Sequence, residues 1–112
     1  MKYLVEDCDN PADPVQDYAG ARQIVRQVLG SHPSVRQAAM FGSFVRGEQK
    51  DSSDVDLLLH FDEKDAFEVI GIGLDLAEEL GRDVDMLTTL RGAQSSFIEN
   101  LKREGRLIYR RD

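Results

Sequence analysis

Apolar positions recur along the chain with the spacing of a helix in some stretches and of a strand in others. The first helical stripe consists of Tyr18, Ala21, Ile24, Val25 and Val28. Asp13 is suited to cap this helix and Pro14 to occupy its first position, which predicts that the helix starts near residue 14. Gly30 and Pro33 are expected to end it.

The remaining pattern predicts four strands, one helical turn and two further helices. In chain order they are a strand at 35–41, a turn at 43–46, a strand at 55–61, a helix at 65–80, a strand at 83–88, a helix at 94–103 and a short edge strand at 107–109. The strand at 55–61 is apolar on both faces, which predicts an interior position in a sheet. The inner face expected for the helix at 65–80 is Ala66, Val69, Ile70, Leu74 and Ala77.

This order of elements predicts an α+β fold in which helices pack on a small mixed β-sheet. A length of 112 residues predicts one domain that spans residues 1–112. Residues 1–13 are expected to be irregular, apart from a short strand at 3–5. Hydrophobic residues make up 41% and charged residues 31% of the chain, which is typical of soluble globular proteins.

Composition excludes several classes of protein. No apolar run approaches the roughly 18 residues of a membrane span, and the N-terminus lacks a signal pattern, so we expect a cytoplasmic protein without a membrane anchor. Cys8 is the single cysteine, which rules out an intramolecular disulfide and a cysteine-rich zinc site. The formal net charge of −7 disfavours direct binding of long nucleic acids, which usually requires a basic face.

Gly42 and Ser43 lie where the first predicted strand gives way to the helical turn. Glycine lets a ligand approach the backbone closely and can adopt positive φ. Backbone amides at the start of a helical turn bind anions, and a serine hydroxyl adds one more donor. Taken alone, the pair indicates only a turn, but it is suited to cradle the terminal phosphates of a nucleotide.

Asp54 and Asp56 flank Val55 at the start of the interior strand. Side chains two positions apart on a strand project from the same face, so the two carboxylates are expected to lie together. Burying unpaired carboxylates is costly, and a divalent cation such as Mg²⁺, which prefers oxygen ligands, relieves that cost. The alternative is a surface pair that caps a loop, and the apolar strand that follows disfavours it.

Asp85 is a third acidic residue, embedded in an apolar strand. If that strand lies beside the interior one, Asp85 joins Asp54 and Asp56 on one face. Three carboxylates can hold two metal ions about 3.5–4 Å apart, one to lower the pKa of an attacking hydroxyl and one to bind the triphosphate. Asp83 projects in the same direction and is the second choice, because apolar residues flank Asp85 on both sides.

These residues together resemble the motif of the minimal nucleotidyltransferases (MNT) of the DNA polymerase beta-like nucleotidyltransferase superfamily. The family pattern is Gly-Ser, ten residues and Asp-x-Asp, which Gly42-Ser43, the spacer 44–53 and Asp54-Val55-Asp56 match. The later acidic strand matches the strand that carries the third carboxylate of the family. The resemblance spans roughly residues 15–109 and implies the nucleotidyltransferase fold.

The resemblance also implies a role for each matching residue. Gly42 and Ser43 would bind the triphosphate of ATP, and Asp54 and Asp56 would bind two Mg²⁺ ions. Asp85 would complete the metal site and help to activate the acceptor hydroxyl.

Arg46 lies in the Arg-Gly segment of the family motif. It would either steady the phosphates of the nucleotide or tie the loop to an acidic neighbour. No residue in the sequence identifies the nucleobase, and ATP is implied by the resemblance alone.

Small members of the family resemble the antitoxin of HEPN–MNT toxin–antitoxin pairs. That resemblance implies transfer of AMP from ATP (AMPylation) to a tyrosine of a HEPN-domain toxin encoded nearby, within a possible homo- or hetero-oligomer. Two alternatives stay open: a non-catalytic module that neutralises its partner by contact, and a nucleotidyltransferase that modifies a small-molecule hydroxyl.

Overall fold

Four helices and four strands form within residues 15–111, the part of the chain that this computed structural model describes. The helices are α1 (Tyr18–Leu29), α2 (Ser43–Arg46), α3 (Ala66–Leu80) and α4 (Ser95–Glu104), and the strands are β1 (Val35–Phe41), β2 (Val55–Phe61), β3 (Val84–Leu87) and β4 (Arg106–Arg110). Helices on one mixed sheet confirm the predicted α+β class. The expectations for residues 1–13, including the strand at 3–5, lie outside the described residues.

The four strands form one sheet in the order β3-β2-β1-β4. β1 is antiparallel to both β2 and β4, whereas β2 and β3 are parallel. A parallel pair needs a crossover connection, which α3 supplies. β2 therefore has a neighbour on each side, which confirms the interior position predicted from its apolar sequence, and β4 lies at an edge as predicted.

The core lies between the sheet and the two longer helices, α1 and α3, which also pack against each other. In α1 the predicted stripe is confirmed: Ala21 and Val25 have no solvent exposure, and Tyr18, Ile24 and Val28 pack against the core while partly buried. The buried residues of the sheet include Val35, Ala38, Met40, Val55, Leu57, Leu59 and Ile108. This packing fixes the ends of β1, β2 and β3, where the candidate site is built.

The predicted start of the first helix is wrong. α1 begins at Tyr18, and its cap is Asp17, whose side chain accepts a hydrogen bond from a first-turn amide at 2.8 Å. Val15 is buried instead of helical, because its amide donates to the Leu80 carbonyl at the end of α3 (2.9 Å). This tertiary contact holds the segment before α1 outside the helix. Asp13, the predicted cap, lies outside the described residues.

The predicted inner face of α3 is also wrong in part. Ile70 and Leu74 were expected in the core, but they are 61% and 66% exposed, and the neighbouring Phe67 is 87% exposed. The fully buried residues of the helix are Ile72, Leu76 and Leu80. α3 is apolar on nearly all sides, so helical spacing alone is compatible with either stripe. Phe67, Ile70 and Leu74 are named here the α3 apolar face.

Within residues 15–111, no helix is both long enough and apolar enough to cross a membrane.

Candidate active site

The chain turns sharply at Gly42, between the end of β1 and the start of α2. Gly42 has a φ of 80°, in the left-handed region. Its carbonyl accepts hydrogen bonds from the amides of Val45 and Arg46, at 3.1 and 3.2 Å. These bonds close the turn and place Ser43 at its first position, where backbone amides have no partner inside a helix. The geometry suits the phosphate-cradling role predicted for Gly42 and Ser43.

Asp56 lies directly against the backbone of Gly42. A Cβ atom built on Gly42 would be 2.0 Å from Asp56 Oδ2 and 2.9 Å from Asp56 Cγ. The strand register creates this contact, because Phe41 is the partner of Asp56 across β1 and β2. A side chain at position 42 would therefore displace the carboxylate as well as strain the backbone. Glycine is needed here to make room for an acidic side chain of the site itself.

The structure brings the three predicted carboxylates together at one end of β2 and β3. Asp56 and Asp85 are direct partners in the parallel register, and Asp54 immediately precedes β2. Asp56 is half-buried, whereas Asp54 and Asp85 are exposed. Asp83, the second choice, precedes β3, and its carbonyl accepts a hydrogen bond from the Val55 amide at 3.0 Å. The register thus places Asp85, and not Asp83, opposite Asp56.

The pKa of Asp56 is raised to about 6. Burial makes the largest contribution, because desolvation disfavours the charged form. The negative charges of Asp85 and then Asp54 raise the pKa further, and the positive charge of Arg46 opposes them. Asp85 and Asp54 therefore impose an electrostatic cost on the ionised form of Asp56, and a bound cation would remove that cost.

The chemistry of this donor set fits Mg²⁺, because all three side chains offer carboxylate oxygens. Mg²⁺ is usually bound by one or two carboxylates and takes its remaining ligands from water and substrate phosphates. No three acidic, histidine or cysteine side chains within residues 15–111 converge closely enough to enclose an ion by themselves. Asp54, Asp56 and Asp85 would hold the metal from one side, and oxygens of the substrate would complete its coordination.

Arg46 is bound to acidic neighbours. Its Nε donates to Glu48 Oε1 at 2.7 Å, and its Nη1 donates to Glu104 Oε1 at 3.1 Å. These hydrogen bonds, with Glu48 first, raise the pKa of Arg46 above its usual value. The contacts connect α2 with the end of α4, so a phosphate would have to compete with two carboxylates for this guanidinium.

Arg82 is a buried residue beside this site that the sequence pattern does not identify. Arg82 follows the glycine that ends α3 and is only 8% exposed. Its Nε donates to the Val15 carbonyl at 2.6 Å, and its Nη1 donates to the carbonyls of Lys50, Asp51 and Ser53 at 2.8, 3.0 and 3.1 Å. An arginine between a helix stop and a short strand normally indicates an exposed position. The burial depends on the tertiary path of the 48–53 loop, which carries no periodic signal.

Several known proteins are similar to this chain in sequence. A candidate protein adenylyltransferase of Methanocaldococcus jannaschii is 44% identical over 55 residues, which cover 48% of this chain and 59% of that protein. Two further candidate adenylyltransferases of the same organism match over 66% and 65% of their length. The chain thus spans less than two thirds of the length of these curated relatives.

Solved structures share the fold. A candidate minimal nucleotidyltransferase is 30% identical with a TM-score of 0.63, covering 79% of this chain and 89% of that one. A toxin–antitoxin structure with AMP-PNP has a TM-score of 0.65 at 22% identity, covering 81% and 74% of the two chains. A complex of a tri-AMPylated Shewanella oneidensis HEPN toxin with an MNT antitoxin has a TM-score of 0.58 at 19% identity, covering 81% and 71%.

The sequence model of one family, described as polymerase beta, nucleotidyltransferase, matches residues 23–112. That stretch includes the Gly42 turn, the three clustered carboxylates and all four strands of the sheet. The chain therefore belongs to the polymerase beta nucleotidyltransferase family.

Proposed function

We propose that this chain is a Mg²⁺-dependent protein adenylyltransferase that transfers AMP from ATP to a tyrosine of a HEPN-type toxin in the cytoplasm and so acts as its antitoxin. The observation that carries the proposal is the pairing of Asp56 with Asp85 across β2 and β3, beside Asp54 and against Gly42. Asp56 is half-buried next to two further acidic groups, and the resulting electrostatic cost has a purpose if the three hold the metal of a nucleotide substrate.

Each of these residues has a definite task in such a reaction. Gly42 and Ser43 hold the β- and γ-phosphates, and Asp54, Asp56 and Asp85 are the metal ligands. Bound Mg²⁺ supplies charge neutralisation of the triphosphate and a lower pKa for the attacking hydroxyl.

The transfer itself is a substitution at phosphorus. The acceptor oxygen forms a bond to the α-phosphorus, the bond from the α-phosphorus to the bridging oxygen of pyrophosphate breaks, and pyrophosphate leaves. The hydroxyl proton passes to Asp85 or to water. The chain therefore has to hold ATP and the acceptor hydroxyl in line, since positioning and charge stabilisation supply most of the catalysis in phosphoryl-type transfers.

Two observations support a protein as the acceptor. Relatives are named as protein adenylyltransferases, and similar folds occur in complexes with HEPN toxins, one of them AMPylated. The α3 apolar face is the second, because Phe67, Ile70 and Leu74 together form an exposed apolar patch of a kind that marks contact surfaces. The net charge of −7 would favour a basic partner such as a ribonuclease toxin.

The test is incubation of this chain with ATP, Mg²⁺ and the HEPN-domain protein encoded next to it, followed by intact-mass measurement of both proteins. We expect the partner to gain one or more AMP groups on tyrosine. Asp85→Asn should reduce the transfer by more than about 100-fold, because it removes a metal ligand. Asp83→Asn, the matched control two residues away, should retain it.

Each other outcome has a distinct meaning. A tight complex without transfer would replace the proposal with neutralisation by contact. Neither complex nor transfer would direct attention to a small-molecule hydroxyl as the acceptor. Loss of transfer in Asp83→Asn but not in Asp85→Asn would show that the third carboxylate is assigned wrongly.

A further inference from the structure

Arg82 is the one charged side chain that is buried within residues 15–111. All four of its hydrogen bonds go to backbone carbonyls, and no carboxylate of the described residues forms an ion pair with it. A buried guanidinium needs such compensation, because burying a charge without hydrogen bonds is costly. The carbonyl oxygens surround the guanidinium as they would a bound cation. Through these hydrogen bonds Arg82 connects Val15 with the 48–53 loop, two segments that are distant in sequence.

Three of the four carbonyls belong to the loop that leads into the candidate site. Lys50, Asp51 and Ser53 all direct their carbonyls to Nη1, and the loop adds a bond from the Lys50 amide to Ser53 Oγ at 2.7 Å. The residues of this loop are polar and mostly exposed, so the hydrophobic core does not order them. Ser53 directly precedes Asp54, and the orientation of its carbonyl therefore fixes the backbone that carries the first carboxylate.

The same guanidinium also contacts the phosphate side of the site. Its Cζ lies 5.0 Å from the centroid of the Phe44 ring, in a cation–π arrangement. Phe44 is itself 1% exposed and directly follows Ser43. Arg82 thus touches the residue after Ser43 and the residue before Asp54, although it lies far from both in sequence.

We propose that Arg82 is a positioning residue that sets the separation between Ser43 and Asp54, and with it the geometry in which the triphosphate and its metal are held. The inference rests on the nucleotidyl transfer proposed above. A planar guanidinium can bond to Val15 with one nitrogen and to the loop with another while it stacks on a ring. A lysine at this position would offer a single nitrogen and could satisfy only one of the two sides.

The test compares Arg82→Ala and Arg82→Lys with wild type and with Arg36→Ala as the matched control. Arg36 is a half-exposed arginine whose ion pair with Asp62 lies at the opposite end of β1 from the site. Amide hydrogen exchange and calorimetric titration with MgATP are the two measurements. In both Arg82 variants we expect the amides of Lys50 and Ser53 to exchange at least about tenfold faster, because the loop loses charge-assisted hydrogen bonds.

The core amides of β1 and β2 should keep their wild-type exchange rates in both Arg82 variants. The affinity for MgATP should fall by at least about tenfold in Arg82→Ala and by less in Arg82→Lys. Arg36→Ala should match wild type in both measurements.

Chemical rescue of Arg82→Ala distinguishes a positioning role of the guanidinium from simple filling of space by the side chain. Arg82 lines an open cleft of about 460 Å³ together with Asp54, so ethylguanidinium can enter the space left in Arg82→Ala and restore MgATP affinity, whereas ethylammonium should not.

The inference would be overturned if the loop amides of both Arg82 variants exchanged at the wild-type rate. It would also be overturned if the MgATP affinity of Arg82→Ala lay within twofold of wild type. Uniformly faster exchange over all strands would also overturn it, because it would indicate a role in global stability alone. Should Arg82→Ala fail to fold, Arg82→Lys keeps the charge and the aliphatic stem and decides the question. A wild-type chain that binds MgATP but modifies no partner would refute the proposed acceptor and leave the test of Arg82 intact.

Discussion

Replacing Asp56 with asparagine should stabilise the metal-free protein above neutral pH while it abolishes transfer. The pKa of Asp56 is raised from 3.8 to about 6, chiefly by burial and then by Asp85 and Asp54. The folded chain therefore holds this proton more tightly than the unfolded chain does. The stability that Asp56 contributes is present below pH 3.8 and is lost as the pH rises through about 6. Asparagine has a similar shape and carries no charge, so it avoids that loss.

The size of the stabilisation expected for Asp56→Asn follows from the pKa shift of Asp56. A change of about 2 pKa units corresponds to about 3 kcal/mol at most, at 1.36 kcal/mol per unit. Solvent screens a half-buried group, and we expect about 1–2 kcal/mol to remain. For a domain of this size, that difference raises the midpoint of thermal unfolding by roughly 4–8 °C.

The assay is thermal unfolding followed by circular dichroism, from pH 4 to pH 8, in EDTA and then in Mg²⁺. In EDTA, the unfolding midpoint of Asp56→Asn should equal that of wild type at about pH 4. The difference between the two midpoints should grow up to about pH 6 and stay constant above it. Mg²⁺ should raise the midpoint of wild type and leave that of the variant unchanged. Asp62→Asn is the control, because Asp62 is exposed and ion-paired with Arg111. A lower midpoint for Asp56→Asn than for wild type at pH 8, or a difference in midpoint that does not vary with pH, would show that the charge of Asp56 does not destabilise the folded protein.

Three further substitutions probe the turn, the partner surface and the ion pairs. Gly42→Ala should reduce transfer at least about 100-fold, because the new Cβ displaces Asp56. Gly92→Ala is the control and should keep full activity in the same assay, because Gly92 has a similar φ of 81° but a Cβ there would meet nothing within 4 Å. Phe67→Glu should weaken the complex with the toxin at least about tenfold in a calorimetric titration without changing the affinity for MgATP. An unchanged affinity for the toxin would exclude the α3 apolar face as its contact surface. Arg46→Gln should lower MgATP affinity less than about threefold, because two carboxylates already engage this side chain, and a larger loss would assign it to the phosphates.

The strands were predictable because their sequences allow little else. The run of three leucines in β2 favoured a place inside the sheet, and an acid in each of two neighbouring apolar strands indicated a shared site. The sequence could not show the register, which places Asp56 opposite Asp85. It also could not show that Gly42 makes room for Asp56, since that contact depends on how β1 and β2 are aligned.

Tertiary contacts decide between local alternatives at each place where the structure departs from the sequence prediction. The cap at Asp17 prevailed because Val15 is tied to the end of α3. The helix α3 has two apolar stripes, and the core buries only one of them, so periodicity could not identify the exposed face that carries Ile70. The burial of Arg82 was not predictable, because its hydrogen-bond partners are backbone carbonyls, which leave no pattern of side chains in the sequence.

Transfer of label from α-labelled ATP to the toxin shows whether the carboxylates beside Gly42 catalyse nucleotidyl transfer. Wild type and Asp56→Asn would be compared at pH 8 in Mg²⁺, at a temperature at which both are folded. We expect labelled toxin with wild type and no labelled toxin with Asp56→Asn, although the variant is the more stable protein without metal. Equal labelling by the two proteins would show that these carboxylates do not catalyse the transfer.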